Sequence, residues 1–301
     1  MRHNIWEWLS PPDPWKNHNL IHGTRHSKTG TWLIQSGTYA EWKSSGPSSL
    51  LWINGKRQCF VVPICFSGTD DYCFCSGRGK ECHLVRLSLN SFYLRTYTVG
   101  SSAVIEDIRA LQKSGLSSLA FFYCDFREDQ KRDRRGLLSS LLVQLGEQSD
   151  AYSAKLSRFY EAHGRGSQHA SDDGLLDCLK DMLKQPDKST VHIIIDALDE
   201  CPTTTGTPDP REKVLNVIKE LVDLKISNLR ICTTSRPEVD IESFLGSLDF
   251  RSVSLEGENG QVEDIAEYVK TFVNTDSKMQ GWGITLKQMV IDELSVKANG
   301  M

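Results

Sequence analysis

The chain has 301 residues, of which 39% are hydrophobic and 25% are charged, and its formal net charge is −4. A chain of this length holds one large α/β domain or two modest ones, and its composition is ordinary for a folded globular protein. The slightly acidic balance argues against general nucleic-acid binding, because that class of proteins usually has an excess of basic residues.

The sequence shows no signal for secretion or for a membrane. The N-terminus, MRHNIWEWLSPPDPW, lacks the apolar run of a signal peptide, and no stretch approaches the roughly 20 apolar residues of a membrane helix. Nine cysteines, an odd number, are present. In a chain without a secretion signal this number indicates free thiols and a reducing compartment. We therefore expect a cytoplasmic protein that does not enter a membrane.

A polar segment, residues 1–49, opens the chain, and we call it the lead-in segment. Its one amphipathic stretch is Thr31–Trp42. We expect Trp32, Leu33 and Trp42 to pack against the core of the following domain rather than to bind a partner.

From Leu50 onwards, apolar runs of strand length alternate with longer stretches of helical periodicity. The runs that we predict as strands are Leu50–Ile53, Leu119–Cys124, Val191–Ile195, Leu229–Thr234 and Arg251–Leu255. The stretches that we predict as helices are Gly136–Glu147, Leu175–Leu183, a helix opened by Pro210, Asp264–Val273 and Leu286–Ala298. This alternation predicts a three-layer α/β fold, in which a parallel sheet is flanked by helices.

An acidic cluster follows the clearest predicted strand, where Ile193–Glu200 reads IIIDALDE. Ligands of parallel α/β sheets bind beyond the carboxyl ends of the strands, so a carboxylate at that position projects into the binding crevice. Asp196 is placed to hold a Mg²⁺-bound water beside the phosphates of a nucleotide, and Glu200 or Asp199 to orient the attacking water. The structural alternative is a helix N-terminus, where the helix dipole favours acidic residues.

A basic residue follows the next predicted strand, in the sequence Thr233-Thr234-Ser235-Arg236-Pro237. An arginine at the carboxyl end of a strand can reach a γ-phosphate as a charge sensor. A solvated turn residue is the alternative. The position of Arg236 after the IIIDALDE strand favours the sensor, and we predict Arg236 as a phosphate-binding residue.

Together these stretches resemble the NACHT domains of fungal signal-transducing (STAND) P-loop NTPases, close to the nephrocystin 3-like N-terminal domain. The segments that show the resemblance are Leu116–Arg127, Arg135–Leu145, Val191–Cys201, Leu229–Ile241, Val253–Val269 and Leu294–Met301. The resemblance implies a five-stranded P-loop core that binds Mg-ATP or Mg-GTP. It also implies a molecular switch that oligomerises through the NACHT domain and takes part in fungal non-self recognition and programmed cell death.

The phosphate-binding loop of such NTPases is not recognisable in the sequence. That loop reads G-x-x-x-x-G-K-[ST], and its backbone amides, lysine and hydroxyl hold the phosphates and Mg²⁺. Here Leu50–Ile53 leads into Gly55 and Lys56, a remnant of the loop start, with no second Gly-Lys pair directly behind it. A rival loop around Gly77–Lys80 has Glu81 in place of the Mg²⁺-binding hydroxyl, and this carboxylate would repel phosphate.

Residues 57–100 look unlike the rest of the chain, and we interpret them as an aberrant, disordered insert that replaces the loop. The family pattern resumes at Ser102–Ile108, and our hypothesis is that the segment arises from a retained intron or a reading-frame error. The alternative is a zinc site, and its candidate ligands are Cys59, Cys65, Cys73, Cys75, Cys82 and His83. These residues lack the paired C-x₂-C spacing of structural zinc sites, so we predict no metal site.

The sequence thus predicts a NACHT or P-loop NTPase-like domain at 50–275, after the lead-in segment, and the truncated start of a helical region at 276–301. Without the loop the phosphates lose most of their contacts, so we expect a degenerate or truncated nucleotide switch without NTP hydrolysis. We expect no bound cofactor in this chain, unknown protein partners and no nucleic acid. The alternative is an active ATP- or GTP-binding NTPase, either in a correctly spliced form or with a loop formed by Gly77–Lys80.

Overall fold

The computed structural model describes residues 2–22, 30–44, 49–55, 64–66, 72–74, 90–185, 189–203, 209–255, 259–275 and 279–299. The strands are β1 (Ser49–Asn54), β2 (Ile64–Phe66), β3 (Tyr72–Phe74), β4 (Ser117–Tyr123), β5 (Thr190–Asp196), β6 (Leu229–Ser235) and β7 (Phe250–Ser254). The α-helices are α1 (Arg2–Leu9), α2 (Pro14–His22), α3 (Thr31–Ile34), α4 (Gly37–Ser44), α5 (Asn90–Lys113), α6 (Arg134–Gln148), α7 (Asp150–Ala162), α8 (Asp172–Leu183), α9 (Pro210–Asp223), α10 (Val239–Leu245), α11 (Asn259–Thr275) and α12 (Ile284–Asn299).

The main sheet has five strands in the order β4-β5-β6-β1-β7, and every neighbouring pair is parallel. The predicted α/β class and all five predicted strands are confirmed. After β1 the chain crosses to the far edge of the sheet at β4, whereas after β6 it crosses in the other direction to β7. A topological switch point therefore lies between the carboxyl ends of β1 and β6, where α/β sheets bind their ligands.

Helices cover both faces of the sheet because the strands bury side chains on both faces. Alternate residues of β1 enter two separate cores: Leu50 and Trp52 face the core lined by α6, α8 and α9, and Leu51 and Ile53 face the core lined by α3, α4 and α5. Strands buried on both faces require continuous apolar runs, and this is why they were readable from the sequence.

The lead-in segment forms part of both cores. Ile5 and Leu9 of α1 lie in the first core, and Leu33 and Trp42 lie in the second, where Trp32 packs against them. The predicted packing of Leu33, Trp32 and Trp42 is confirmed. Helix α1 contacts α7 on one face of the sheet, and α2 contacts α5 and β4 on the other. The lead-in segment therefore passes from face to face beside β4, the edge strand.

The segment 57–100 contains regular structure in its described parts. Strands β2 and β3 pair antiparallel, with Cys65 opposite Cys73. Helix α5 begins at Asn90, so the expectation that the insert stays disordered up to residue 100 is wrong for residues 90–100. No glycine or proline stands between residues 90 and 99 to stop the helix from extending upstream. The remaining residues of the segment, among them Cys59, Cys75, Cys82 and His83, lie outside the described residues.

Candidate functional site

Asp196 occupies the last position of β5 and is almost fully buried, with 1% of its surface exposed. The Thr234 hydroxyl on β6 donates a hydrogen bond to its Oδ1 over 2.6 Å. Burial raises the pKa of Asp196 to about 6, the nearby Asp199 acts in the same direction, and the hydroxyls of Thr234 and Ser101 oppose the shift. Asp196 therefore lies at the carboxyl edge of the sheet, as predicted. Its raised pKa means that its surroundings favour the protonated carboxyl more than solvent does.

A sharp turn follows Asp196 and brings two more carboxylates to the same edge. Ala197 adopts a left-handed conformation, with φ 57° and ψ 53°, and a 3-10 turn follows at Leu198–Glu200, which we call the acidic turn. The Glu200 N–H donates to the Ala197 carbonyl over 2.9 Å, and the fully buried Leu198 anchors the turn in the core. A left-handed alanine is unfavourable by roughly 1–2 kcal/mol, and such backbone strain is concentrated at functional sites.

Asp199 and Arg236, two of the predicted site residues, bind each other. The Arg236 backbone N–H donates to Asp199 Oδ1 over 3.1 Å, and its Nε lies 3.1 Å from Oδ2. Burial raises the pKa of Asp199, and the charge and backbone N–H of Arg236 oppose that shift. Since both oxygens of Asp199 are engaged, this residue is poorly placed to orient a water. Arg236 lies at the predicted strand end, where its Nε is paired with Asp199.

Glu200 is the second acid of the turn, and its environment suits proton exchange near neutral pH. Burial raises the pKa of Glu200 to about 7, the carboxylates of Asp125, Asp199 and Asp196 add to the shift, and Arg127 opposes it. A general base works best when its pKa lies near the working pH. Of the two acids that the sequence left open, Glu200 therefore suits a general base better than Asp199, whose two oxygens both contact Arg236.

Asp125 is a member of this carboxylate cluster that the sequence interpretation missed. It follows β4 as Asp196 ends β5, so the same rule for strand ends would have found it. Arg127 holds it with three donors, the backbone N–H at 3.0 Å, Nε at 2.8 Å and Nη2 at 2.7 Å. Burial alone would raise the pKa of Asp125, but these bonds to Arg127 outweigh it and lower the pKa below the usual value.

The lead-in segment reaches this edge of the sheet through α2. Asn17 Nδ2 lies 3.4 Å from Asp125 Oδ2, and the buried Lys131 ammonium donates to Asn17 Oδ1 over 2.5 Å. At the next position of α2, the buried His18 ring contacts the Tyr123 hydroxyl through Nδ1 at 3.0 Å and Glu106 Oε1 through Nε2 at 2.8 Å. Nothing in the sequence pattern of residues 1–49 indicates these contacts, because each joins positions far apart in the chain.

The phosphate side of the site begins at Gly55, which is buried directly after β1. Asn54 pairs in register with Ser235, so this loop start lies beside the end of β6 at the switch point. Lys56 lies outside the described residues. Within the described part of the chain, no three or more His, Cys, Asp or Glu side chains are grouped to hold a metal ion. Gly55 and the acidic residues at the end of β5 therefore lie at the same, carboxyl edge of the sheet.

Sequence comparison agrees with this architecture. Residues 97–236 match the profile of the family described as nephrocystin 3, N-terminal. This part of the chain is similar to the nephrocystin 3 N-terminal domain. The NACHT-type resemblance of the sequence is thereby confirmed. The match begins at residue 97, so it excludes β1 and most of the segment 57–100. It ends at Arg236.

Vegetative incompatibility protein HET-E-1 of the fungus Podospora anserina is similar to this chain, with 22% identity over 174 residues. The similarity covers 57% of the chain and 10% of the length of HET-E-1. The chain thus spans about a tenth of this relative. Among the described residues, no helix is both long enough and apolar enough to cross a membrane.

Proposed function

We propose that this chain is a degenerate NACHT-type nucleotide-switch module that retains the acidic half of its site and does not hydrolyse ATP or GTP. One observation supports this proposal above the others. Asp196 and Glu200 are assembled at the carboxyl edge of the sheet, but no G-x-x-x-x-G-K-[ST] loop follows β1 in the sequence. Phosphoryl transfer depends on positioning and charge neutralisation, which that loop supplies together with Mg²⁺.

The role of the module follows, as part of the same proposal, from its relatives. The name of HET-E-1 refers to vegetative incompatibility, and we place this chain in non-self recognition, where it acts through protein partners and NACHT-type oligomerisation. The net charge of −4 supports a role without nucleic acid. Cys124, Cys178, Cys201 and Cys232 are free and buried, which supports a reducing, cytoplasmic location.

A second candidate function is an active Mg-ATP- or Mg-GTP-dependent NTPase in a correctly spliced form. The observation that favours it is the start of the family match at residue 97, which leaves residues 57–96 outside the domain. Transcript sequencing across codons 56–101 examines it directly. Transcripts that lack this segment and encode a Gly-Lys-Ser/Thr stretch would support the active form. Transcripts that all contain the full segment in frame would contradict it.

Nucleotide binding and turnover by purified protein test the main proposal. The natural chain is compared with a repaired chain, in which a sequence completing G-x-x-x-x-G-K-T from Gly55 replaces residues 57–96. We expect Mg²⁺-dependent binding of a fluorescent nucleotide and phosphate release by the repaired chain only, with both reduced by Asp196→Asn. Phosphate release by the natural chain that disappears in its own Asp196→Asn variant would overturn the proposal.

A further inference from the structure

Arg211 is a buried arginine beside the acidic turn that has no role in the site described so far. It lies in the first turn of α9, and 7% of its side chain is exposed. Its Nε donates to the Cys201 carbonyl over 2.9 Å, and its Nη2 donates to the Asp199 carbonyl over 2.7 Å. Both acceptors are backbone atoms in or directly after the acidic turn, so one guanidinium holds the turn through its backbone.

The same guanidinium also binds the segment that follows β6. Its Nη1 donates to Glu238 and lies 3.1 Å from Asp240 Oδ2. These acids stand two and four positions after Arg236, which binds the Asp199 side chain. Two arginines therefore join the ends of β5 and β6. Arg211 binds backbone carbonyls of the acidic turn, and Arg236 binds the side chain of Asp199.

The start of α9 fixes the place of Arg211. Asp209 caps the helix, since its Oδ1 accepts the Glu212 N–H over 2.6 Å, and Pro210 occupies the first helical position. Burial alone lowers the pKa of Arg211, but Glu238 and Asp240 more than offset it, so the group stays charged. A buried ion pair usually stabilises a protein no more than apolar packing would. A buried arginine with hydrogen-bond partners on several segments can instead fix how those segments are arranged.

The acidic turn needs such external support because it begins at the left-handed Ala197. Strained backbone persists only where the surrounding structure holds it in place. The internal restraints of the turn are the Glu200 N–H bond to the Ala197 carbonyl, the Cys201 N–H bond to the Leu198 carbonyl and the buried Leu198 side chain.

We propose that Arg211 is a positioning residue, which holds the acidic turn so that Glu200 stays in the carboxylate cluster with Asp125 and Asp196. The inference rests on the proposed function, because it concerns the acidic half of the same site. In this arrangement Asp199 is the partner of Arg236, and Glu200 is the acid of the turn that lies near Asp125 and Asp196.

The first experiment uses the natural full-length chain and follows the titration of Glu200 by carbon-13 NMR of labelled glutamate carboxyls. Loss of a signal in Glu200→Gln assigns the resonance. In Arg211→Ala we expect the midpoint of Glu200 to fall by about one pH unit, because a released turn takes its carboxylate out of the cluster and into solvent. Arg211→Lys, which keeps the charge but loses the planar fork, gives a smaller shift.

Arg230→Ala is the matched control for a merely structural effect. Arg230 is also a buried arginine that binds backbone carbonyls, those of Ser227 and Leu229 at 2.9 and 2.8 Å, but it lies at the amino end of β6. We expect Arg230→Ala to lower stability and to leave the Glu200 midpoint unchanged. No shift in Arg211→Ala, or equal shifts in both variants, would overturn the inference. If Arg211→Ala does not fold, Arg211→Lys is judged by the same criterion.

The second experiment places Arg211→Lys in the repaired chain that contains the complete phosphate loop. We expect kcat to fall by about tenfold with an unchanged affinity for the nucleotide, because the variant alters the acidic turn and not the cradle. An equal loss in affinity, or no loss in kcat, would contradict the positioning role. Turnover by the unrepaired chain would contradict only the proposed function, since the titration of Glu200 is measured without nucleotide.

Discussion

The hydroxyl of Thr234 joins the backbone and the side chain at the end of β5. It donates to Asp196 Oδ1 over 2.6 Å and accepts the Ala197 N–H over 2.9 Å, so one group satisfies both a buried carboxylate and a strained turn. Thr234→Val should lower the free energy of unfolding by about 2–3 kcal/mol, because it leaves buried polar groups without this partner. Urea denaturation followed by tryptophan fluorescence measures the change.

The neighbouring threonine provides the control for this prediction. Thr233 is equally buried in β6, but within the described part of the chain its Oγ1 has no hydrogen-bond partner. Thr233→Val should therefore be neutral or stabilising by up to about 1 kcal/mol, since it replaces an unpaired buried hydroxyl by a methyl group. Equal losses in the two valine variants would show that the hydroxyl of Thr234 has no special role.

Ala197 gives a prediction of the opposite sign. Because its φ of 57° lies in the left-handed region, Ala197→Gly should raise the stability by about 1 kcal/mol through relief of backbone strain. Ala154→Gly, at an exposed position inside α7, should lower the stability by about 1 kcal/mol, as glycine usually does in a helix. A loss of stability in Ala197→Gly similar to that in Ala154→Gly would argue against the left-handed turn. Thermal unfolding of both variants decides.

The parts of the fold that were predictable from sequence are those set by local patterns. Strands β1, β4, β5 and β6 are buried on both faces, so each appears as a continuous apolar run between turns. The acidic cluster was predictable for the same reason: a carboxylate directly after such a run must lie at the carboxyl edge of the sheet.

The parts that escaped prediction depend on contacts between distant positions. Arg211 and Asp199 are twelve positions apart, and Arg211 and Asp240 twenty-nine, in segments whose proximity only the strand order reveals. The contact of His18 with Tyr123 spans 105 positions. The pairing of Arg236 with Asp199 was not predictable either. The sequence pattern placed both residues at the correct edge of the sheet, but it could not show whether the arginine binds a phosphate or a carboxylate.

His18 provides a test of how firmly the lead-in segment is attached. Its ring is 1% exposed and contacts both Tyr123 and Glu106, so His18→Ala should lower the free energy of unfolding by about 2–3 kcal/mol through lost packing and lost hydrogen bonds. His3→Ala is the control, because His3 is exposed and only approaches Glu7 in a surface ion pair, which should change the stability by less than about 0.5 kcal/mol. If His18→Ala unfolds at the same urea concentration as His3→Ala, the docking of α2 is not a stabilising contact.

Glu200 predicts how the stability depends on pH. Its pKa is raised from 4.5 to about 7, chiefly by burial, so the folded state holds a proton that the unfolded state has released within this window. Stability should therefore fall as the pH rises from about 4.5 to about 7, because more protons are bound to the folded state than to the unfolded state there. Asp196, with a pKa raised to about 6, adds to the same trend.

Glu200→Gln removes the part of this dependence that comes from Glu200. At about pH 8 the variant should be more stable than the natural chain by about 1–2 kcal/mol, which is less than the full shift implies because the side chain keeps some solvent contact. The difference should vanish near pH 4.5, where Glu200 is protonated in the folded state. Glu212→Gln, at an exposed position in α9, controls for the removal of a surface carboxylate. Urea denaturation at a series of pH values measures both variants. A gain in stability for Glu200→Gln that is the same at every pH would show that the carboxylate is not held in the cluster, since only a group with a shifted pKa links stability to pH in this window.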